Sequence, residues 1–166
     1  MPNETATGES CLIRKMSIAD IPRMVQLETA EFHRPWKDAS FREELTLSAP
    51  YCLIAECAAP AFFDSDTTIT GYLCARLMYD ELHIVKILTA PGHQRKGIAG
   101  QLLDKVLGIG LKQGARISTL EVRASNIPAI RCYERAGFQT VGTRSGYYAD
   151  TNEDALIMTV YMNAQN

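Results

Sequence analysis

The chain has 166 residues, enough for one domain to bury most of its apolar surface in a single core. Its composition, 46% hydrophobic and 22% charged, is ordinary for a soluble globular protein. The net charge of −2 offers no basic field for non-specific nucleic-acid binding, and no apolar run approaches the ~20 residues that span a bilayer. The expected partners therefore include neither nucleic acid nor membrane.

Residues 1–10 are polar, lack the apolar core of a signal peptide, and read as a disordered tail before one domain over residues 11–166. The five cysteines (Cys11, Cys52, Cys57, Cys74, Cys132) are odd in number and scattered. Neither a disulfide framework nor a zinc site is expected from them, so the chain reads as cytoplasmic with reduced thiols. Cys132 reads as a buried small side chain rather than a nucleophile.

A short strand is expected from Cys11 to Met16. A helix follows, capped by Ser17 or Asp20, with Pro22 in its first turn and an end near Phe32. Arg34-Pro35-Trp36 breaks the pattern, and a second helix runs from about Ser40 to Leu47. Tyr51 to Cys57 reads as a strand, residues 58–68 as a loop, and Ile69–Tyr79 and Glu81–Ala90 as two more strands. Ile84, Val85, Ile87 and Leu88 suit a central strand. From Arg95 to about Lys112 the pattern is helical, with Ile98, Leu102, Val106 and Ile109 in one stripe that Leu103 and Leu107 widen. Gly114 terminates it.

Ile117 to Val122 is a strand. Asn126 caps the next helix, Pro128 sits in its first turn and Gly137 follows its end. Phe138–Thr143 and Asp154–Tyr161 are closing strands. An antiparallel meander followed by crossovers implies an α/β (α+β) domain: a mixed sheet with helices on both faces. It is not a Rossmann fold, since no Gly-x-Gly-x-x-Gly follows the first strand.

Two crossovers carry chemistry. Gln94-Arg95-Lys96-Gly97-Ile98-Ala99-Gly100 joins a strand to a helix. The unpaired N–H groups of the first helical turn, the helix dipole, and a glycine that admits close backbone approach form a recipe for holding pyrophosphate, to which Arg95 and Lys96 add charge. No Walker A lysine follows, which argues against nucleotide hydrolysis. The segment is otherwise a plain strand–helix connection with two solvated cations.

In Leu120-Glu121-Val122-Arg123-Ala124-Ser125-Asn126 a carboxylate ends a strand, and Tyr133 stands on the following helix. A base and a phenolic acid at one crevice suit group transfer from a thiol to an amine. Backbone N–H groups around Leu88 and Thr89 suit polarising an acyl carbonyl. Taken singly, a strand-end glutamate is usually solvated and a helical tyrosine beside aliphatics is usually core.

Together these motifs resemble the GNAT superfamily of N-acetyltransferases, and within it the bacterial ribosomal-protein alanine N-acetyltransferases of RimI type. The likeness is carried by Gln94–Gly100, Leu120–Asn126 and Ala129-Ile130-x-x-Tyr133-Glu134-x-x-Gly137-Phe138, with Tyr147-Tyr148, Glu153-Asp154-Ala155 and Pro35-Trp36 in support. The resemblance implies the GNAT fold, with a mostly antiparallel sheet. It implies acetyl-CoA bound by Ile87, Leu88, Thr89, Arg95, Lys96, Gly97, Ile98, Ala99, Gly100, Asn126 and Tyr133, and no metal. It implies Glu121 as general base, Tyr133 as general acid, and Trp36 and Tyr147 lining a peptide groove. The acceptor it implies is the α-amine of a protein N-terminus, alanine on a ribosomal protein. Gly97-x-Ala99 stands where the family often has Gly-x-Gly. A small-molecule amine, a lysine side chain, or an acyl-CoA sensor without turnover are the competing readings; the presence of both Glu121 and Tyr133 speaks against a sensor.

An α-amine is also the easier nucleophile. Its pKa near ~8 leaves about one in ten neutral at pH 7, whereas neutralising a lysine at ~10.4 costs on the order of 3 kcal/mol more.

Overall fold

The computed structural model describes residues 11–58 and 67–162. The expected tail and most of the expected 58–68 loop lie outside the described residues. In chain order the elements are β1 (Leu12–Lys15), α1 (Ile21–Glu31), α2 (Asp38–Ser48), β2 (Cys52–Ala58), β3 (Thr67–Met78), β4 (Glu81–Thr89), α3 (Ile98–Lys112), β5 (Ile117–Arg123), α4 (Ile127–Arg135), β6 (Gln139–Tyr148) and β7 (Glu153–Tyr161).

The strands form one seven-stranded sheet ordered β1-β2-β3-β4-β5-β7-β6. Every pairing is antiparallel except β4 with β5. The crossover through α3 makes that one parallel pair, because parallel neighbours need a long connection. Alternate strand residues feed two cores. Leu73, Leu82, Ile84, Leu120 and Val122 pack beneath α3 and α4, while Ile54, Tyr72, Cys74 and Leu88 pack beneath α1 and α2. Phe41 of α2 is fully buried, which at its size stabilises by about 1.5–3 kcal/mol.

Three expectations need correction. The helix expected from Arg95 begins at Ile98, because Arg95 and Gly97 adopt left-handed φ values of 61° and 82° that a helix cannot contain. The strand expected to end at Thr143 continues to Tyr148 through two irregular registers, which brings Tyr147 and Tyr148 into the sheet. The cysteines are not all free: Cys11 and Cys57 are bridged, leaving Cys52, Cys74 and Cys132 as thiols. Adjacent strands β1 and β2 bring their Cα atoms to 4.4 Å, a pairing that spacing along the chain does not reveal.

Gly110 answers a packing need: a Cβ there would sit 2.8 Å from the Leu82 side chain, so α3 lies close on β4. No described helix is long and apolar enough to cross a membrane.

Candidate active site

The parallel pairing of β4 with β5 is short. It runs from Glu81 opposite Ile117 to Ile84 opposite Leu120 and stops. Beyond it β4 continues to Thr89 paired only with β3, and β5 continues to Arg123 paired only with β7. A register shift between Cys74 and Ala75 turns β4 at this point, as a bulge does. The sheet therefore splits at the carboxyl ends of its parallel strands, where ligands bind in open α/β sheets.

A cavity of about 640 Å³ opens at the split. Ile87, Leu88 and Thr89 form one wall. Arg95, Gly97, Ile98, Ala99 and Gly100 form its floor, and Asn126 and Tyr133 the side formed by α4. A second hollow, of about 740 Å³, lies at the other end of β5 beside Asp80, Arg116 and Tyr161, and holds none of these residues.

The turn before α3 is built from local constraints. Pro91–His93 makes one 3-10 turn, Gln94 Nε2 donates to the Thr89 carbonyl at 3.3 Å, and the left-handed residues Arg95 and Gly97 reverse the chain. The first N–H groups of α3 have no intrahelical partner and suit an anion. A Cβ on Gly100 would meet only open space, so its bareness widens the approach rather than relieving a clash. His93 and Arg135 line the cavity beside Arg95, whereas Lys96 does not. Thr89 Oγ1 is buried without a hydrogen-bond partner. The unpaired edge of β4 at Thr89, beside a cavity whose floor carries Arg95, fits a ligand that has both polar amide groups and phosphates.

Asn126 caps α4 by accepting from Ala129 N at 3.3 Å, which leaves its NH₂ group to face a ligand. The far end of α4 closes with Gly137 N donating to Glu134 O and Phe138 N to Tyr133 O, both at 3.0 Å. This Schellman arrangement, with Gly137 at φ +91°, holds the turn that carries Tyr133. Its ring packs edge-on against Phe138. Burial pushes the Tyr133 phenol well above its ordinary range, with smaller contributions from Cys132 and Tyr148. Cys132 lines the same cavity, half-buried rather than buried as expected, and burial raises its thiol too, so it holds little thiolate.

Glu121 is the first residue of β5 past the last β4–β5 pair. Leu120 and Val122 point under α3 and α4, so Glu121 points to the other face, outside the cavity lining. Its side chain is 15% exposed, with His83 Nε2 at 3.3 Å from Oε2 and an Arg144 guanidinium nitrogen at 3.3 Å from Oε1. Tyr148 connects the two expected catalytic groups electrostatically. Burial raises its phenol against the opposing pull of Arg123, the Glu121 charge raises it further, and Tyr148 in turn raises Tyr133.

Trp36 and Tyr147 stand outside the cavity lining. Trp36 packs edge-on to Phe41 at 5.4 Å and donates its backbone N–H to Glu28 at 2.7 Å; Glu31 and Phe32 of the same region reach the cavity instead. Tyr147 is half exposed and packs at 5.2 Å against Tyr148. The fold thus gathers the expected ligand residues other than Lys96 in one cavity, with Glu121 at the apex of the split. His83, Arg144, Tyr148 and Arg135 were not anticipated. Among the described residues no cluster of three His, Cys, Asp or Glu is arranged to hold a metal.

The profile of the acetyltransferase (GNAT) family matches residues 21–138. A putative [ribosomal protein bS18]-alanine N-acetyltransferase from Bacillus subtilis is 33% identical over 151 residues, covering 91% of this chain and 95% of that protein. The crystal structure of the ribosomal-protein-S18-alanine N-acetyltransferase from Escherichia coli superposes with a TM-score of 0.77 at 25% identity, covering 95% of this chain and 97% of that one. Arabidopsis thaliana NAA60, solved with acetyl-CoA, shares the fold with a TM-score of 0.80 at 20% identity, over 93% of this chain and 100% of that one. With the split sheet, the cationic turn and these similarities together, the chain belongs to the acetyltransferase (GNAT) family and is an acetyl-CoA-dependent N-acetyltransferase.

Proposed function

We propose that the enzyme acetylates the α-amine of a protein N-terminus in the cytoplasm, with an alanine-initiated ribosomal protein as acceptor. The observation that carries this reading is Glu121, a carboxylate at the apex of the split with two long contacts, across the sheet from a buried phenol in the cavity wall. The activities for which the Bacillus subtilis and Escherichia coli relatives are named support the ribosomal acceptor.

Acetyl-CoA, when bound, supplies a thioester-activated acetyl group. Thr89, Leu88 and Ile87 hold it along the open edge of β4, while the turn at Arg95 to Gly100 and Asn126 hold its phosphate-bearing end. Backbone N–H groups at the open edge polarise the acyl carbonyl. Glu121 takes a proton from the incoming amine, directly or through one water. Tyr133 keeps its proton at neutral pH because burial disfavours the phenolate, and delivers it to the departing sulfur. Trp36 and Tyr147 border the peptide's path on either side of the split. An α-amine suits a single carboxylate because so little work is needed to neutralise it.

The test is acetyl transfer to peptides that differ only in their first residue, read by mass, beside an N-terminally blocked peptide containing lysine and a set of small polyamines. Preference for a free alanine terminus is expected. Faster transfer to lysine or to the small amines would overturn the assignment.

A further inference from the structure

A hydrogen-bonded chain crosses from β4 to β5 behind Glu121. Thr119 Oγ1 lies 2.5 Å from Glu81 Oε1 and 3.1 Å from His83 Nδ1. A carboxylate only accepts, so the single hydroxyl hydrogen of Thr119 goes to Glu81. The Thr119 oxygen then receives a hydrogen from Nδ1, which fixes the Nδ1–H tautomer of His83. That turns Nε2 toward Glu121 Oε2 at 3.3 Å. Two lone pairs facing each other across this gap repel; one proton shared between them turns the contact into an attraction. The arrangement is therefore built to share one proton between Nε2 and Oε2.

We infer that the proton acceptor of the reaction is the His83–Glu121 pair rather than Glu121 alone, with His83 a positioning residue that acts through the carboxylate. The inference rests on the reading of Glu121 as base. In the unloaded pair His83 is neutral and Glu121 is ionised. As the lone pair of the neutral amine forms the bond to the acetyl carbon, the N–H bond breaks, an O–H bond forms at Oε2, and the proton is then shared with Nε2. The carbon–sulfur bond then breaks with its electron pair leaving on sulfur, Tyr133 supplies the proton that the sulfur takes, and solvent restores both groups.

The surrounding charges suit this role. Arg144 steadies the other carboxylate oxygen, and Tyr148 is the phenol that senses Glu121. On β3, Arg76 is the cross-strand partner of His83, but it is bound to Glu44 of α2 at 2.6 Å. On β4, Lys86 is bound to Glu28 of α1 at 2.7 Å. Glu81 is reached through Thr119. Among the described residues Glu121 is thus the carboxylate that meets the imidazole directly.

The experiment compares His83→Gln, Glu121→Gln and the double variant on an alanine-initiated peptide, with acetyl-CoA affinity by calorimetry and His83 tautomer by long-range ¹H–¹⁵N spectra. His83→Gln is expected to lower kcat about tenfold or more with acetyl-CoA affinity unchanged. One of two acid-side ionisations should vanish from the pH profile of kcat/KM. The double variant should be no slower than Glu121→Gln alone, within roughly threefold, as expected of residues acting as a unit. The neutral ring should show Nδ1–H, and Thr119→Val should release that tautomer, a check that stands if His83→Gln folds poorly. A neutral Nε2–H ring, or His83→Gln with parental kcat and profile beside a slow Glu121→Gln, overturns the inference and leaves Glu121 as base. A Glu121→Gln enzyme at parental rate removes the base assignment and the pair with it.

Discussion

Glu28 and Glu121 are two carboxylates at the split sheet with opposite surroundings. Glu28, on α1, is fully buried and held by three donors: it accepts from Lys86 Nζ at 2.7 Å, from the Trp36 backbone N–H at 2.7 Å and from the Tyr72 hydroxyl. Burial foremost, and then the Glu28 charge, raise the Tyr72 phenol far above its ordinary range. Lys86 also lies over the rings of Phe32 and Trp36, 4.3 and 5.0 Å from their centroids. Among the described residues Glu121 has two contacts, both at 3.3 Å, and its side chain is partly open to solvent. A buried carboxylate engaged by three donors at short range anchors structure; one with long contacts at the apex of the split has acceptor sites to spare for a substrate. On the proposed mechanism, the difference separates a brace from a base.

Substitutions can break or sharpen that contrast. The largest effect among the cavity residues belongs to Tyr133→Phe, expected to lower kcat by about 10²-fold or more with acetyl-CoA affinity nearly unchanged. Steady-state kinetics with calorimetry checks this, and wild-type turnover would remove Tyr133 from the acid role. Glu28→Ala should lose about 3–5 kcal/mol in urea unfolding, because the half-buried Lys86 loses its ion-pair partner and the buried Tyr72 hydroxyl its acceptor. It should also raise the KM for peptide, since the Trp36 segment loses its anchor. Reversing the charge of Arg95 and Lys96 should raise the KM for acetyl-CoA roughly tenfold or more, the worth of a charged hydrogen bond or two; an unchanged KM would argue against the phosphate assignment. Asn126→Ala should be the mildest, costing about 1 kcal/mol of stability through the lost cap.

The parts of the site legible in the sequence are those built by neighbours in the chain. The turn at Gly97, the cap at Asn126 with Pro128 behind it, and the stop at Gly137 are local signals, and α4 falls where they put it. Glu121 could be picked out because a strand ends and a helix begins within a few residues of it. What surrounds Glu121 was not legible. His83 meets it only through the parallel register of β4 on β5, and Arg144 only through β6 folding back across β7. The same holds for the Cys11–Cys57 bridge, which depends on β1 lying beside β2. Arg95 reads as helical by composition, yet tertiary need for a reversed turn puts it at a left-handed φ. Glu28 lies within the first helix, and nothing local announces that it is the hub of a buried network.

The most direct test is Glu121→Gln, measured for acetyl transfer to an alanine-initiated peptide and for unfolding in urea. A loose catalytic carboxylate predicts a kcat lowered by about 10²-fold or more, with stability changed by about 1 kcal/mol or less and acetyl-CoA affinity intact. Turnover within about threefold of the parent, with stability falling as for a removed buried charge, would show that Glu121 is a second brace and not the base.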